Sequence, residues 1–152
     1  MKIKVHDRIV HITYPSPSDI PADLLQISDA YEGTSYPRVG FNFPLDFLRT
    51  HHPRHSLTSY DADYVIGYPE KDILTKRHEL QHAKYYMDSN YRDSIQSLWN
   101  SFPSTFQQKV IQQLLQMKYP NRMEILLDEF QAITPRKNRI SLEGYIGKFR
   151  NE

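Results

Sequence analysis

The chain has no cysteine among its 152 residues. That single absence removes disulfides, thiolate metal ligands and cysteine nucleophiles from consideration. Glycine is scarce, with five residues, and tyrosine, with eleven, is abundant. No long hydrophobic run occurs, and the N-terminal "MKIKVHDRIVHITYP" alternates apolar and charged residues. It reads as neither a signal peptide nor a membrane span, so the expectation is a cytoplasmic protein with no membrane partner. Charge of one sign is also lacking. Nineteen Lys and Arg stand against eighteen Asp and Glu, a formal net charge of +1, and no field strong enough to favour nucleic acid follows from that balance.

What is present fits one globular domain over residues 1–152, with 39% hydrophobic and 24% charged residues. "KIKV" and "RIVHITY" alternate around a short "HD" turn and predict a hairpin, Lys2–Val5 and Arg8–Tyr14. Ser18 or Asp19 can cap a helix over Pro21–Tyr31. A third strand is expected near Arg38–Phe43, then a loop through "LRTHHPRHSLTSYD". "ADYVIGY" at Ala62–Tyr68 is the clearest strand of the middle region. Pro69 suits the first turn of a helix that runs to about Asp88. Helical spacing then dominates: Tyr91–Phe102 with Ile95, Leu98, Trp99 and Phe102, a helix opened by Pro103, and a helix from Arg122 to Ile133 capped by Asn121 and ended by Pro135. A basic link, "PRKNR", leads into the tail "ISLEGYIGKF". Strands first and helices later argue an α+β fold, with a small N-terminal antiparallel or mixed sheet and a mainly helical C-terminal half.

Chemistry concentrates in "TKRHELQHAKYYMD", Thr75–Asp88. Residues on an α-helix advance about 100° each, which leaves His78 and His82 about 40° apart on one face. Ile73, Leu80, Ala83 and Met87 cluster on the other side, suited to packing on a sheet. Two imidazoles at i and i+4 can share one Zn²⁺, and Glu79 beside them can hold a metal-bound water. The plain alternative is a surface helix that happens to carry two histidines.

A catalytic zinc site takes three protein ligands and an open position. No histidine follows His82, which leaves the upstream histidines (His6, His11, His51, His52, His55) or a downstream carboxylate. On the Arg122–Ile133 helix, Glu129 falls among Ile125, Leu126, Ala132 and Ile133, whereas Glu124, Asp128 and Gln131 fall on the far face. A buried carboxylate needs a partner. A metal is one; a salt bridge to Arg122 or Lys118 is another.

H-E-L-Q-H at His78–His82, followed by a helix carrying E-F-Q-A at Glu129–Ala132, resembles the zincin metallopeptidases of the gluzincin type, over Ala62 to Ile133 at most. The resemblance implies a zincin-like domain with His78, His82 and Glu129 as zinc ligands and Glu79 as general base for peptide-bond hydrolysis. It further implies that "ADYVIGY" is an edge strand before the active helix, where an extended peptide adds as a further strand. The helices of Tyr91–Lys118 would be an insertion or cap. The acid that often follows the alanine in this group is missing here. The expected partner is a peptide or protein substrate, and endopeptidase action is the leading form.

Candidates for stabilising the tetrahedral intermediate are Tyr64, Tyr68, Tyr85, Tyr86, Tyr91 and Tyr145, and the sequence selects none of them. Two other readings stand beside the peptidase. One is a zincin-like binding protein without turnover. The other is a nucleic-acid module using Arg136, Lys137, Arg139, Lys148 and Arg150, which the near-zero net charge disfavours. "HHPRH" at His51–His55 is read as a solvated loop rather than a second metal site.

Overall fold

A computed structural model describes residues 1–33 and 38–133. The ending of the last helix at Pro135, the basic link and the tail with Glu143, Tyr145 and Glu152 lie outside the described residues. The fold is α+β, a four-stranded mixed sheet followed by a mostly helical half. The chain divides into two compact units, Met1–Met87 and Asp88–Glu152.

The first unit opens with the hairpin β1 (Lys2–His6) and β2 (Ile9–Tyr14). The turn falls on Asp7 and Arg8, one residue later than the sequence suggests, and both take left-handed φ values of 51° and 63°. Two left-handed central residues match the right-handed twist of the strands, as in a type I′ turn. A non-glycine residue pays about 1–2 kcal/mol for that conformation. Arg8 offsets this through a fork to Asp63, with Nε 2.6 Å from Oδ2 and Nη2 3.0 Å from Oδ1.

The sheet order is β1-β2-β4-β3, where β3 is Phe41–Pro44 and β4 is Tyr64–Pro69. β4 runs parallel to β2 on one side and antiparallel to β3 on the other. This corrects the expected edge strand: the strand before the histidine helix is interior, with both of its hydrogen-bonding sides occupied, so no peptide can add to it. The reason is legible in its composition. All six residues of β4 are buried, and a continuous apolar run marks a strand covered on both faces, whereas half-solvated strands alternate. The edges are β1 and β3. At β3 the outer edge is occupied at Asn42, whose backbone N–H donates to Ser28 Oγ at 3.3 Å while that hydroxyl donates to the Asn42 carbonyl at 3.0 Å. β1 is exposed along its length and carries Lys2 and Lys4, charges that discourage further strand pairing.

Alternation sends neighbouring side chains to opposite faces of the sheet. Val10, Ile12, Phe41, Phe43 and Val65 meet α1 (Ala22–Glu32) and α2 (Leu45–His51) through Leu24, Ile27, Leu45 and Leu48. Ile9, Tyr64, Ile66 and Tyr68 meet α3 (Ile73–Met87) through Ala83, Leu80 and Met87. Gly67 is required on the first of these faces, because a Cβ there would come within 2.0 Å of the Phe41 ring. Ile73, expected in the packing stripe of α3, is instead 62% exposed. Pro69 closes β4 rather than opening the helix. The cap is Asp72, which accepts from the Thr75 backbone N–H at 3.0 Å and from its hydroxyl at 2.6 Å. Those bonds hold the Asp72 carboxyl below its ordinary range.

The second unit contains α4 (Ser89–Ser101), α5 (Ser104–Gln116) and α6 (Met123–Ile133). Asp88 caps α4 by accepting from the Tyr91 N–H at 3.0 Å. Trp99 packs edge-on against Phe130 at 5.6 Å, and Phe102 against Phe106 at 4.8 Å. Trp99 therefore belongs to the aromatic core of this unit, as its helical spacing suggests. Among the described residues no helix is long and apolar enough to cross a membrane.

Candidate functional site

Helix α3 brings His78 and His82 together as their spacing predicts. Their Nε2 atoms lie 3.3 Å apart, with ring centroids 4.9 Å apart and planes at 79°. Both rings thus turn the same nitrogen toward a common point. Two nitrogens about 2.05 Å from one tetrahedral ion would be separated by about 3.3 Å. His82 is buried at 2% exposure, so its imidazole is held in place by its surroundings.

Glu79 is buried as well, at 5% exposure. Its Oε2 accepts a hydrogen bond of 2.9 Å from Asn42 Nδ2 on β3. The same amide nitrogen lies 3.3 Å from Glu32 Oε1, and the Tyr64 hydroxyl donates to Asn42 Oδ1 at 2.6 Å. Arg38 pairs with Glu32 and with Asp29 at the outer end of this array, and donates to Ser28 Oγ at 2.9 Å. Gly40 admits the carboxylate: a Cβ there would stand 2.9 Å from Glu79 Oε1 and 2.8 Å from the Gly67 carbonyl oxygen.

Sequence reasoning missed Gly40, Asn42 and the role of Tyr64. One signal was available. In "FNFP" the asparagine is the lone polar residue of a strand, flanked by two phenylalanines on the opposite face. An isolated polar group in a buried strand must have a partner.

Glu129 sits on α6 at 2% exposure, within a run in which Ile125, Leu126, Leu127, Phe130 and Ala132 are also buried. Its burial matches the helical pattern. Arg122, one suggested partner, pairs instead with Glu124 at 3.2 Å. The expectation that Gln131 faces solvent is wrong: it is fully buried. Its side chain accepts from the Tyr91 hydroxyl at 2.9 Å and donates to the Asp128 carbonyl at 2.9 Å and carboxylate at 3.0 Å. A bound amide can be buried where an unpartnered one cannot, and a helical wheel does not see that partner.

Three of the upstream histidines have other partners. His55 Nδ1 accepts from the Leu57 N–H and its Nε2 faces Asp23 Oδ2, both at 3.1 Å, which commits the two nitrogens. The His51 ring lies tilted against Phe47, with centroids 4.4 Å apart. His11, on β2, has its Nδ1 3.0 Å from the Tyr68 hydroxyl. Burial, then the charges of Lys76, His6 and Lys4, push it down to about 4. Of the candidate tyrosines, the hydroxyls of Tyr64, Tyr68 and Tyr91 are engaged in the bonds above. Tyr85 is buried, and Tyr86 lies against the Tyr64 ring at 5.3 Å with 38% exposure.

In comparisons with known proteins, no family model matches this chain, and no curated protein or solved structure matches it either.

Proposed function

We propose that this protein is a zinc-dependent metallopeptidase, an endopeptidase acting on peptide or protein substrates, with His78, His82 and Glu129 as metal ligands and Glu79 as general base. The observation that carries the reading is the 3.3 Å approach of the two histidine Nε2 atoms. That is long for a shared N–H···N hydrogen bond and matches the span of two donors on one tetrahedral zinc. Glu129, buried at 2% exposure on α6, is the carboxylate this reading assigns as the third ligand. Two neutral imidazoles and a carboxylate form a donor set suited to zinc, and they leave a fourth position for water.

When bound, zinc supplies Lewis acidity, polarising the scissile carbonyl and lowering the pKa of water toward neutrality. Glu79, one residue from a ligand and fixed by a hydrogen bond, takes a proton from the attacking water and delivers it to the leaving amine.

The test is metal content together with turnover. Purified protein is expected to carry one equivalent of zinc, which His82→Ala and Glu129→Ala lose. Glu79→Gln is expected to retain the zinc while turnover of a fluorogenic peptide library falls by about 10²–10⁴-fold. Full activity in Glu79→Gln would reject the mechanism.

A further inference from the structure

We infer that Asn42 is a positioning residue for the Glu79 carboxylate, with Tyr64 fixing the orientation of the Asn42 amide. This rests on the peptidase reading and extends it to a residue far from the histidine motif in sequence.

A glutamate side chain on a helix has three rotatable bonds, and ordering it costs conformational entropy. A general base must nevertheless reach its proton within hydrogen-bonding distance. The Asn42 amide reaches across from β3 and donates to Glu79 Oε2 at 2.9 Å. Both groups are buried, Asn42 at 2% and Glu79 at 5% exposure, where a hydrogen bond to a charged acceptor is stronger than in water.

The direction of that amide is not arbitrary. Its nitrogen faces two carboxylates, Glu79 at 2.9 Å and Glu32 at 3.3 Å, and its oxygen faces the Tyr64 hydroxyl at 2.6 Å. An amide turned the other way would set its oxygen against both acids. Only one orientation satisfies all three neighbours. The strand beneath is equally fixed, paired to β4 on one side and bonded to Ser28 on the other. Gly40 completes the cradle by leaving space beside Oε1. The carboxylate is thus held from a sheet rather than from its own helix, an arrangement that preorganises the base before substrate arrives.

The experiment compares wild type, Asn42→Ala and Tyr64→Phe, each alone and in the Glu79→Gln background, using a fluorogenic peptide cleaved by the wild-type holoprotein. Asn42→Ala is expected to keep one equivalent of zinc and to lower kcat about 10–100-fold, with KM within twofold. Tyr64→Phe, which keeps the amide and loosens its orientation, is expected to lower kcat about 3–10-fold and serves as the test should Asn42→Ala fail to fold. In the Glu79→Gln background neither substitution should lower the residual rate further, because both act through the same carboxylate. Unchanged kcat in the folded variants overturns the inference, as does an equal loss with and without Glu79. Absence of zinc or of turnover in the wild type overturns the peptidase reading itself, a result distinct from an active enzyme that is indifferent to Asn42.

Discussion

A missing side chain matters as much as a present one around Glu79. At Gly40 a methyl group would meet Thr75 Cγ2 at 2.7 Å, the Gly67 carbonyl oxygen at 2.8 Å and Glu79 Oε1 at 2.9 Å. The carbonyl belongs to the sheet and cannot yield, so Gly40→Ala is expected to destabilise by about 1–3 kcal/mol, read from the urea midpoint, and to lower turnover by displacing the carboxylate. His11 gives a pH test at the same scale. Its native value of about 4 lies below the ordinary 6.5, so the unfolded chain binds the extra proton first. The contribution of neutral His11 is complete above pH 6.5 and is lost as pH falls toward 4, for a total of at most about 3 kcal/mol before solvent screening. Thermal melts over that window should show a smaller acid-side decline in His11→Phe than in wild type. The histidine pair and Glu79 were readable from sequence because helical spacing is local. Asn42 and Gln131 were not, because their partners come from other elements, and a periodic pattern reports which face a residue occupies but not what it meets there.

Element by element, the helices were the more legible part: each observed helix of the second unit coincides with an expected one within a few residues, since proline and capping signals punctuate it. The strands were located but their pairing was not. β4 was expected at an edge, and the antiparallel return of β3 makes it interior, a long-range fact that local alternation does not encode. Two substitutions probe the elements that hold the site. Asp72→Ala removes both bonds at the start of α3 and is expected to cost about 1 kcal/mol of stability in chemical denaturation. Ser28→Ala deprives the buried backbone of Asn42 of its donor and acceptor at the β3 edge. A loss of about 1–3 kcal/mol is expected by the same measurement, larger than for an exposed serine.

For the whole molecule, the order of strands before helices was enough to give the α+β class. The division into two compact units at Met87 and Asp88 left no mark in composition, because Asp88 is simply a helix cap between two helices. If zinc binds as proposed, it binds the folded chain alone, and its removal should lower stability. Free zinc at about a thousand times its dissociation constant would add about 4 kcal/mol. A chelator should therefore lower the melting temperature of the wild type and leave that of His82→Ala unmoved.

The interior place of β4 reaches beyond stability. If the chain is a peptidase as proposed, β4 is flanked on both sides and offers no backbone ladder beside the histidine helix, so an extended segment cannot be accepted there on main-chain geometry alone. Recognition then falls to side chains, and cleavage would be choosy about residue type around the broken bond. Sequencing the products of a random peptide pool would reveal that as a narrow consensus.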